Sequence, residues 1–464
     1  MRTRSNIISR RPQWYRTGIY GVSVNPQTYE YQFQDSFPSA FTYIENLSLR
    51  TYIGVDTYLE RQYVSTSPRF VEKTGSGAVD GMLVEIESLN LAYLTDYNFA
   101  TTGALSKWDN NNITVEDAIV DSPLLGGVSG DFHGTRISEV GGIGLLRTLI
   151  TSSIVARPVT SGQYYTQSIF VNSGTDLGEE YPLNFVQLSF ISTGFLNTSY
   201  ANFNIITGAM GTVGAGITRT SITDVGGGWW RISATALCNT TRSTAGRFKL
   251  NMIPSSTSAN NETYNGTVDT RGGYIWGAQY ENNERPTTYY IQNNVGDTTR
   301  PADNIVLSGS NFSSTYNSTS TTTLIAWFYF DQATAFGTGL RTILSIDTGA
   351  NKKLHLYGQN GTLTTILAWT GSQIISSASL VSGLNKIAIT ISGTTNCPVK
   401  ICLNGGTVVS GTSDVTKANQ TWLNIGSKST TSSSGFSDHL NDAFVKLYIY
   451  NTALSDAQLQ IGTA

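Results

Sequence analysis

Trp229 and Arg231 stand two positions apart in the string Gly226-Gly-Gly-Trp-Trp-Arg-Ile-Ser233. In a strand they share a face with Ser233 and Thr235. An indole plane beside a guanidinium is a surface on which a sugar ring can stack and a hydroxyl can be held. An indole there serves equally well to pack under a loop or a neighbouring subunit. Trp230 falls on the other face with Ile232, Ala234 and Ala236 and is expected in the core. In the related string Gly273-Tyr-Ile-Trp-Gly-Ala-Gln279, Tyr274, Trp276, Ala278 and Tyr280 align as a second core face, opposite Ile275, Gly277 and Gln279. Paired carboxylates are the one hydrolytic chemistry left open, since glycoside cleavage takes two carboxyl groups roughly 5–10 Å apart. Glu179, Glu180, Asp96 and Asp117 are available, but no spacing singles them out, and they read as solvated loop acids.

Other chemistry is missing. The sequence holds no GxSxG elbow, P-loop, HExxH helix, dinucleotide fingerprint or DxDxDG calcium loop. Gly141-Gly-Ile-Gly144 lacks the Lys-Ser/Thr pair of a phosphate cradle and reads as a turn. His133, His355 and His439 stand alone. Cys238, Cys397 and Cys402 form neither a CxxC pair nor a disulfide framework, and Cys397 and Cys402 face opposite sides of a strand. No catalytic residue, metal ligand or cofactor is assigned, and the expected class is a non-enzyme.

The elements that must position the aromatic residues are strands. The chain has 464 residues, of which 13% are charged, with 46 Gly and 24 Tyr. That balance suits all-β domains whose strands are joined by many turns. Strand signals recur from Gly81 through Tyr280 at sandwich spacing. A break at Thr299-Arg-Pro-Ala-Asp303 precedes a second strand-rich unit. There Leu324-Ile-Ala-Trp-Phe-Tyr-Phe330 is apolar on both faces, as in a central strand covered twice, and Trp327, Trp369 and Trp422 are expected in cores. Asn404-Gly405 marks a two-residue hairpin turn, and Ser455-Asp-Ala-Gln458 a capping box opening a short helix. The expected layout is an N-terminal attachment region over 1–78, then tandem antiparallel β-sandwich (jelly-roll) domains over 79–303 and 304–464.

Residues 1–78 differ in composition. Arg2, Arg4, Arg10, Arg11 and Arg16 precede the first acid, Glu30, and Trp14 and Tyr15 stand among them. The segment is either a frayed terminus or an arm that docks on an acidic protein surface. Nucleic-acid binding comes third, because the formal charge of −3 provides no basic stripe elsewhere. Tyr29, Tyr31 and Phe33 alternate as one half-buried strand. No run of ~18 apolar residues predicts membrane insertion, and the first residues lack the apolar core of an export signal.

Several strings carry a resemblance. Gly211-Thr-Val-Gly-Ala-Gly216, Ile222-Thr-Asp-Val-Gly-Gly-Gly-Trp-Trp-Arg-Ile-Ser233 and Gly273-Tyr-Ile-Trp-Gly-Ala-Gln-Tyr-Glu281 resemble the carbohydrate-binding-type jelly roll of bacteriophage head-fibre, spike and tail-fibre proteins. Pro286-Thr-Thr-Tyr-Tyr-Ile291 and Thr299-Arg-Pro-Ala-Asp303 match its usual end, and Gly81-Met-Leu-Val-Glu-Ile-Glu-Ser-Leu-Asn-Leu91 its lead-in, with Ser88-Leu89 where an Arg-Thr pair is common. Val399-Lys-Ile-Cys-Leu-Asn-Gly405 and Phe444-Val-Lys-Leu-Tyr-Ile-Tyr-Asn-Thr-Ala-Leu-Ser455 are similar to concanavalin A-like, laminin-G-type jelly rolls. The resemblance covers about 80–464. It implies a virion-surface fibre, spike or decoration protein, assembled in the host cytoplasm as a homo-oligomer, trimers being typical of fibres. Its partners would be other virion proteins of capsid, neck or tail and a host cell-surface polysaccharide. A purely structural decoration or adaptor protein, a polysaccharide depolymerase and a bacterial surface lectin remain the alternatives.

Overall fold

The computed structural model describes residues 108–121, 133–266, 271–287, 302–330, 341–347, 380–412, 416–427 and 440–464 almost continuously, together with short strands elsewhere, including several between 28 and 90. The protein is all-β, and its strands divide into two units. One comprises Leu47–Ser65 and Glu87–Arg300; the other comprises Met1–Asn46, Thr66–Ile86 and Pro301–Ala464. Both units are therefore discontinuous in sequence. Among the described residues, no helix is long and apolar enough to cross a membrane.

The strands before residue 78 do not form a segment apart from these units. Thr28–Gln32 pairs antiparallel with Asp442–Tyr450, from Thr28 opposite Tyr450 to Gln32 opposite Lys446. Thr42–Ile44 pairs with Asn304–Ser308, and Phe70–Val71 with Gly81–Val84. Arg50–Ile53 pairs with Leu59–Gln62, which also meets Leu124–Leu125. The boundary drawn at 78 thus cuts through strand pairings. The alternation of Tyr29 and Tyr31 does mark a strand, but its partner lies at the far end of the chain, and no local signal carries that pairing.

In the 87–300 unit a nine-stranded sheet faces a six-stranded one. Inward residues of both, among them Ile169, Ile232, Ala234, Ala236, Val186, Leu188, Phe203 and Leu250, form one buried cluster. The centre of the larger sheet is Tyr164–Asn172, flanked by Trp229–Leu237 and Arg271–Glu281. A bulge interrupts the last of these. Gly277 adopts φ +62°, and the register against Tyr164–Asn172 shifts between Ser168 and Phe170. An extra residue reverses strand parity. Ala278 and Tyr280 consequently point into the inter-sheet core with Ile275. Trp276 packs on the outer side against Phe170 and Tyr289, with ring centroids 5.2 Å and 4.7 Å away. The single aromatic face expected from Tyr274 to Tyr280 is split in two by this glycine.

In the other unit an eight-stranded and a seven-stranded sheet enclose a core that includes Leu324, Ala326, Phe328, Ile346, Ile389, Leu423 and Leu447. Thr322–Phe330 is central in its sheet, between Gly383–Ile391 and Asp442–Tyr450. Its outer face is only partly covered. The C-terminal helix Asp456–Thr463 packs over Ile325, and Leu459 joins Ile325, Ala388, Cys402 and Tyr450 in a second cluster. Further along the strand Trp327 and Tyr329 are half-buried. Trp327 is therefore not a core residue. Trp422 is buried, and the side chain of Trp369 lies outside the described residues.

Local signals in this unit hold where the chemistry is local. Ser455 Oγ accepts from Gln458 N, and Gln458 Oε1 accepts from Ser455 N, which closes the capping box. Asn404 and Gly405 take φ +49° and +70°, as a type I′ turn requires. The following strand, Val409–Thr412, pairs only from Ile401 onward, so the connection is longer than two residues. Cys397 joins the inter-sheet core while Cys402 lies under the helix, and none of the three cysteines is in a disulfide.

Candidate functional site

Three strands meet at one end of the 87–300 sandwich, because Asn172 lies opposite both Trp229 and Tyr274. The loops leaving them are built around this asparagine. Asn172 Nδ2 donates to the Gly227 carbonyl at 3.1 Å, and Gly174 N donates to Asn172 Oδ1 at 2.8 Å. Gly226, Gly227 and Gly228 all have positive φ, which explains the glycine run. A Cβ on Gly228 would stand 2.7 Å from Asp176 Oδ2, so the exposed Asp176 comes close to this turn. Asp224, also exposed, accepts from Gly226 N at 2.8 Å.

The sequence expectation for Trp229 and Arg231 fails here. Trp229 is buried, 3% exposed, and offers no stacking surface. Arg231 donates through Nη2 to Ser168 Oγ at 3.1 Å and to the Thr287 carbonyl at 2.7 Å, with its guanidinium 5.4 Å from the Phe170 ring centroid. For Arg231 the physical reason is the stretch 282–287 with Tyr289, which folds back across this face. Thr287 is tied to the buried Glu281 through N at 3.1 Å and Oγ1 at 2.5 Å, and Tyr289 seals the Phe170–Trp276 pair. A polar sheet face reads as open when the segment that roofs it has no periodicity. The other expected contacts, Arg2, Arg4, Arg10, Arg11, Trp14 and Tyr15, lie outside the described residues.

At this end the tryptophan that reaches the surface is Trp230. It packs on the core cluster with one part and stays half-buried at the strand's start. Its six-membered ring lies over Gly208, where a Cβ would come within 2.2 Å of Cη2. Gly208, at φ +68°, belongs to the turn between Tyr200–Asn204 and Ala209–Val213. Ile206 and Met210, on either side of it, are 44% and 38% exposed. Across the strand pair, Asp224 is the residue opposite Trp230. Parity put Trp230 on the core face correctly. Its place at the strand end, two residues after the glycine turn, was the signal that the core would cover only part of it.

Glu179, near this end, is occupied. Glu179 receives a fork from Arg136, Nε at 2.6 Å and Nη2 at 2.9 Å, and the Tyr274 hydroxyl at 2.9 Å. The Arg136 hydrogen bonds hold the Glu179 carboxyl below its usual range, while burial and then Glu179 push the Tyr274 phenol up to about 12. A carboxylate so held accepts hydrogen bonds and is a poor proton donor. Glu180 and Tyr181, next along, are exposed. Among the described residues no group of three or more His, Cys, Asp or Glu is arranged to hold a metal.

The outer face of the six-stranded sheet carries a second set of sugar-compatible groups, an amide row. Gln187 Nε2 donates to Asn202 Oδ1, and Asn251 Nδ2 to Gln187 Oε1, each at 2.8 Å. Asn202 Nδ2 donates to the carbonyls of Ser256 and Ser258 at 3.1 Å and 2.7 Å. The three amides are buried and answer one another or the loop after Met252, so they stabilise that loop.

Comparison with known proteins bears on the other unit. Residues 301–460 match the family model of the concanavalin A-like lectin/glucanases superfamily. The C-terminal strands are thus a concanavalin A-like, laminin-G-type domain. The stretch covers about a third of the chain, and the strands before residue 86 that complete its sheets lie outside it. Among solved structures, the N-terminal CBM22-1–CBM22-2 tandem domain of Paenibacillus barcinonensis Xyn10C is matched over 81% of this chain and 95% of that one, at 8% identity and a TM-score of 0.23. The superposition is too loose to carry a functional argument. No curated protein matches the chain.

Proposed function

We propose that this protein is a non-catalytic adhesin whose β-sandwiches hold surface glycans. The observation that carries the proposal is Trp230, half-open over Gly208 at a loop-lined end, with Asp224 opposite it and Ile206 and Met210 beside it. An indole face stacks on the C–H face of a sugar, and a neighbouring carboxylate accepts its hydroxyls. The lectin-type match of residues 301–460 agrees with this reading. Single sites of this kind are weak, and copies displayed together raise avidity. Trp230→Ala is expected to weaken retention of the chain on a glycan array by about five- to tenfold, the equivalent of ~1–1.5 kcal/mol of stacking. Thermal unfolding of both proteins checks that the sandwich persists. An array that retains neither protein under multivalent display would favour the purely structural decoration reading.

The setting we propose is the surface of a bacteriophage particle, with Arg2, Arg4, Arg10, Arg11, Trp14 and Tyr15 docking on a partner virion protein. Support comes from the resemblance of the tryptophan strings to phage fibre and spike modules. Because the strand Thr28–Gln32 pairs within the lectin-type unit, the informative truncation removes only residues 1–26. That chain is expected to keep its melting temperature and to be lost from purified particles. Normal incorporation would rule out the arm as the anchor.

A further inference from the structure

The sandwich end that carries Trp230 holds a second open aromatic, Tyr181, which is 51% exposed. Strand register fixes how the two stand. Trp230 lies opposite Val171, and Val171 opposite Ile275. Tyr181, in the short strand Tyr181–Pro182, lies opposite Arg271. Residues opposite one another in a sheet share a face, as do alternate residues along a strand. Ile275, Gly273 and Arg271 are thus on one face, and Tyr181 and Trp230 project from that same face. Val171 and Ile275 belong to the inter-sheet core there, as does Leu183, two residues after Tyr181. Gly272 pairs with Ser138 on one side and Pro182 on the other, so Tyr181–Pro182 continues the line of Tyr164–Asn172 past its end. Arg271 is four residues from Ile275, so four residues of rise and one strand spacing separate the backbones of the two aromatics, roughly 14 Å. Between them the chain crosses to the six-stranded sheet through Leu183 and the half-buried Asn184, whose carbonyl accepts from Ile205 N at 3.0 Å. Ile206, next in sequence, borders the Gly208 turn that lies under the Trp230 ring.

We infer that this end binds a linear, uncharged oligosaccharide of about three rings or more, with Trp230 and Tyr181 as its two stacking platforms. The inference rests on the Trp230 reading proposed above and adds the length and charge of the ligand. One sugar ring covers one aromatic, and a separation of roughly 14 Å takes about three rings to bridge. Because both aromatics project from one face, a single extended chain can meet them in turn. Asn184, between the platforms, carries an amide able to donate to and accept from sugar hydroxyls. Charge decides the ligand class. Asp176, Glu180 and Asp224 are exposed around this end. The arginines there are turned to acids, Arg136 to Glu179 and Glu116, and Arg271 to Glu139 at 3.4 Å. A uronate chain brings its carboxylates against three others, whereas a neutral chain offers hydroxyls that those carboxylates accept.

The test is retention of the full chain on an array of neutral gluco-, manno- and galacto-oligosaccharides one to six rings long, with oligogalacturonates of the same lengths. In at least one neutral series retention is expected to rise about five- to tenfold from one ring to about four and then level off, the gain of one further stacking contact. Oligogalacturonates are expected to be held about tenfold less well at each length. Tyr181→Ala is expected to remove the gain with length while leaving single-ring retention and the melting temperature unchanged. Tyr181→Phe keeps the gain, and Trp230→Ala weakens every length. Retention that ignores length, or that Tyr181→Ala leaves unaltered, while Trp230→Ala still weakens it, overturns the inference and leaves the Trp230 reading standing. Oligogalacturonates held as tightly as the neutral chains overturn it as well. Retention unaffected by Trp230→Ala, or none of any neutral series, removes both.

Discussion

Arg147→Met is expected to lower the stability of the 87–300 sandwich by about 3–5 kcal/mol, the range seen when one partner of a buried charge cluster is removed. Arg147 is fully buried. Its guanidinium donates to the carbonyl of Val140 through Nε at 3.2 Å and Nη2 at 2.8 Å, and through Nη1 to those of Leu145 and Tyr264, both at 3.0 Å. A longer contact of 3.4 Å reaches the Gly142 carbonyl. The group also lies 4.3 Å from the Tyr264 ring centroid, and the Tyr264 hydroxyl donates to the buried Glu139 at 2.6 Å. Burial and Glu139 together raise the Tyr264 phenol far above its ordinary value, so it stays a donor. Methionine fills much of the same volume but leaves several buried carbonyls unanswered and removes a positive charge near Glu139. Arg147→Lys keeps the charge without the fork and is expected to recover part of the loss. Gly266 is tied to the same feature, since a Cβ there would stand 2.0 Å from Arg147 Nη2. Denaturant unfolding of each variant measures the effect; a loss below about 1 kcal/mol would mean that water or loop movement satisfies the carbonyls.

Trp276→Ala is expected to cost about 3–5 kcal/mol as well, by a different route. Trp276 is 1% exposed and touches Phe170 and Tyr289 on the outer side of the large sheet. Its removal opens a cavity under residues 282–289, the segment whose Thr287 carbonyl holds Arg231. The loss should therefore include faster proteolysis near residue 285, and Trp276→Phe should restore most of it. Trp230→Ala makes a useful contrast, because that residue is only half-buried and its larger effect should fall on binding. Resistance of Trp276→Ala to denaturant at the parental level would place the packing energy of this face elsewhere.

Much of the fold was legible in the sequence because strand formation and turn chemistry are local. Leu324 to Phe330 read correctly as a central strand, Ser455 and Gln458 as a capping box, and the Gly226 run as a turn. The sites were less legible, for identifiable reasons. Gly277 looks like any strand glycine, yet its bulge moves Trp276 and Tyr280 to opposite faces. Residues 282–287 have no period, so nothing announced that they would hold Arg231. Trp327 has the same apolar neighbours in sequence as a core tryptophan, and the Asp456–Thr463 helix packs over Ile325, leaving Trp327 only half-buried. Lys417 is the extreme case. It is a fully buried cation, donating to the Ser320 carbonyl and Thr322 Oγ1, in a sequence context that reads as an ordinary polar loop.

The strand Asp442–Tyr450 is flanked by Thr322–Phe330 on one side and by Thr28–Gln32 and Gly81–Val84 on the other. On the ribosome, the early segments emerge hundreds of residues before the neighbour they need. The unit made of 47–65 and 87–300 lies wholly before residue 301 and can close during synthesis, while Thr28–Gln32 and Gly81–Val84 each wait with an edge unpaired. Nascent chains that stop before residue 442 leave those edges permanently open. A truncated chain therefore presents more open strand edge, and so more template for aggregation, than the finished one.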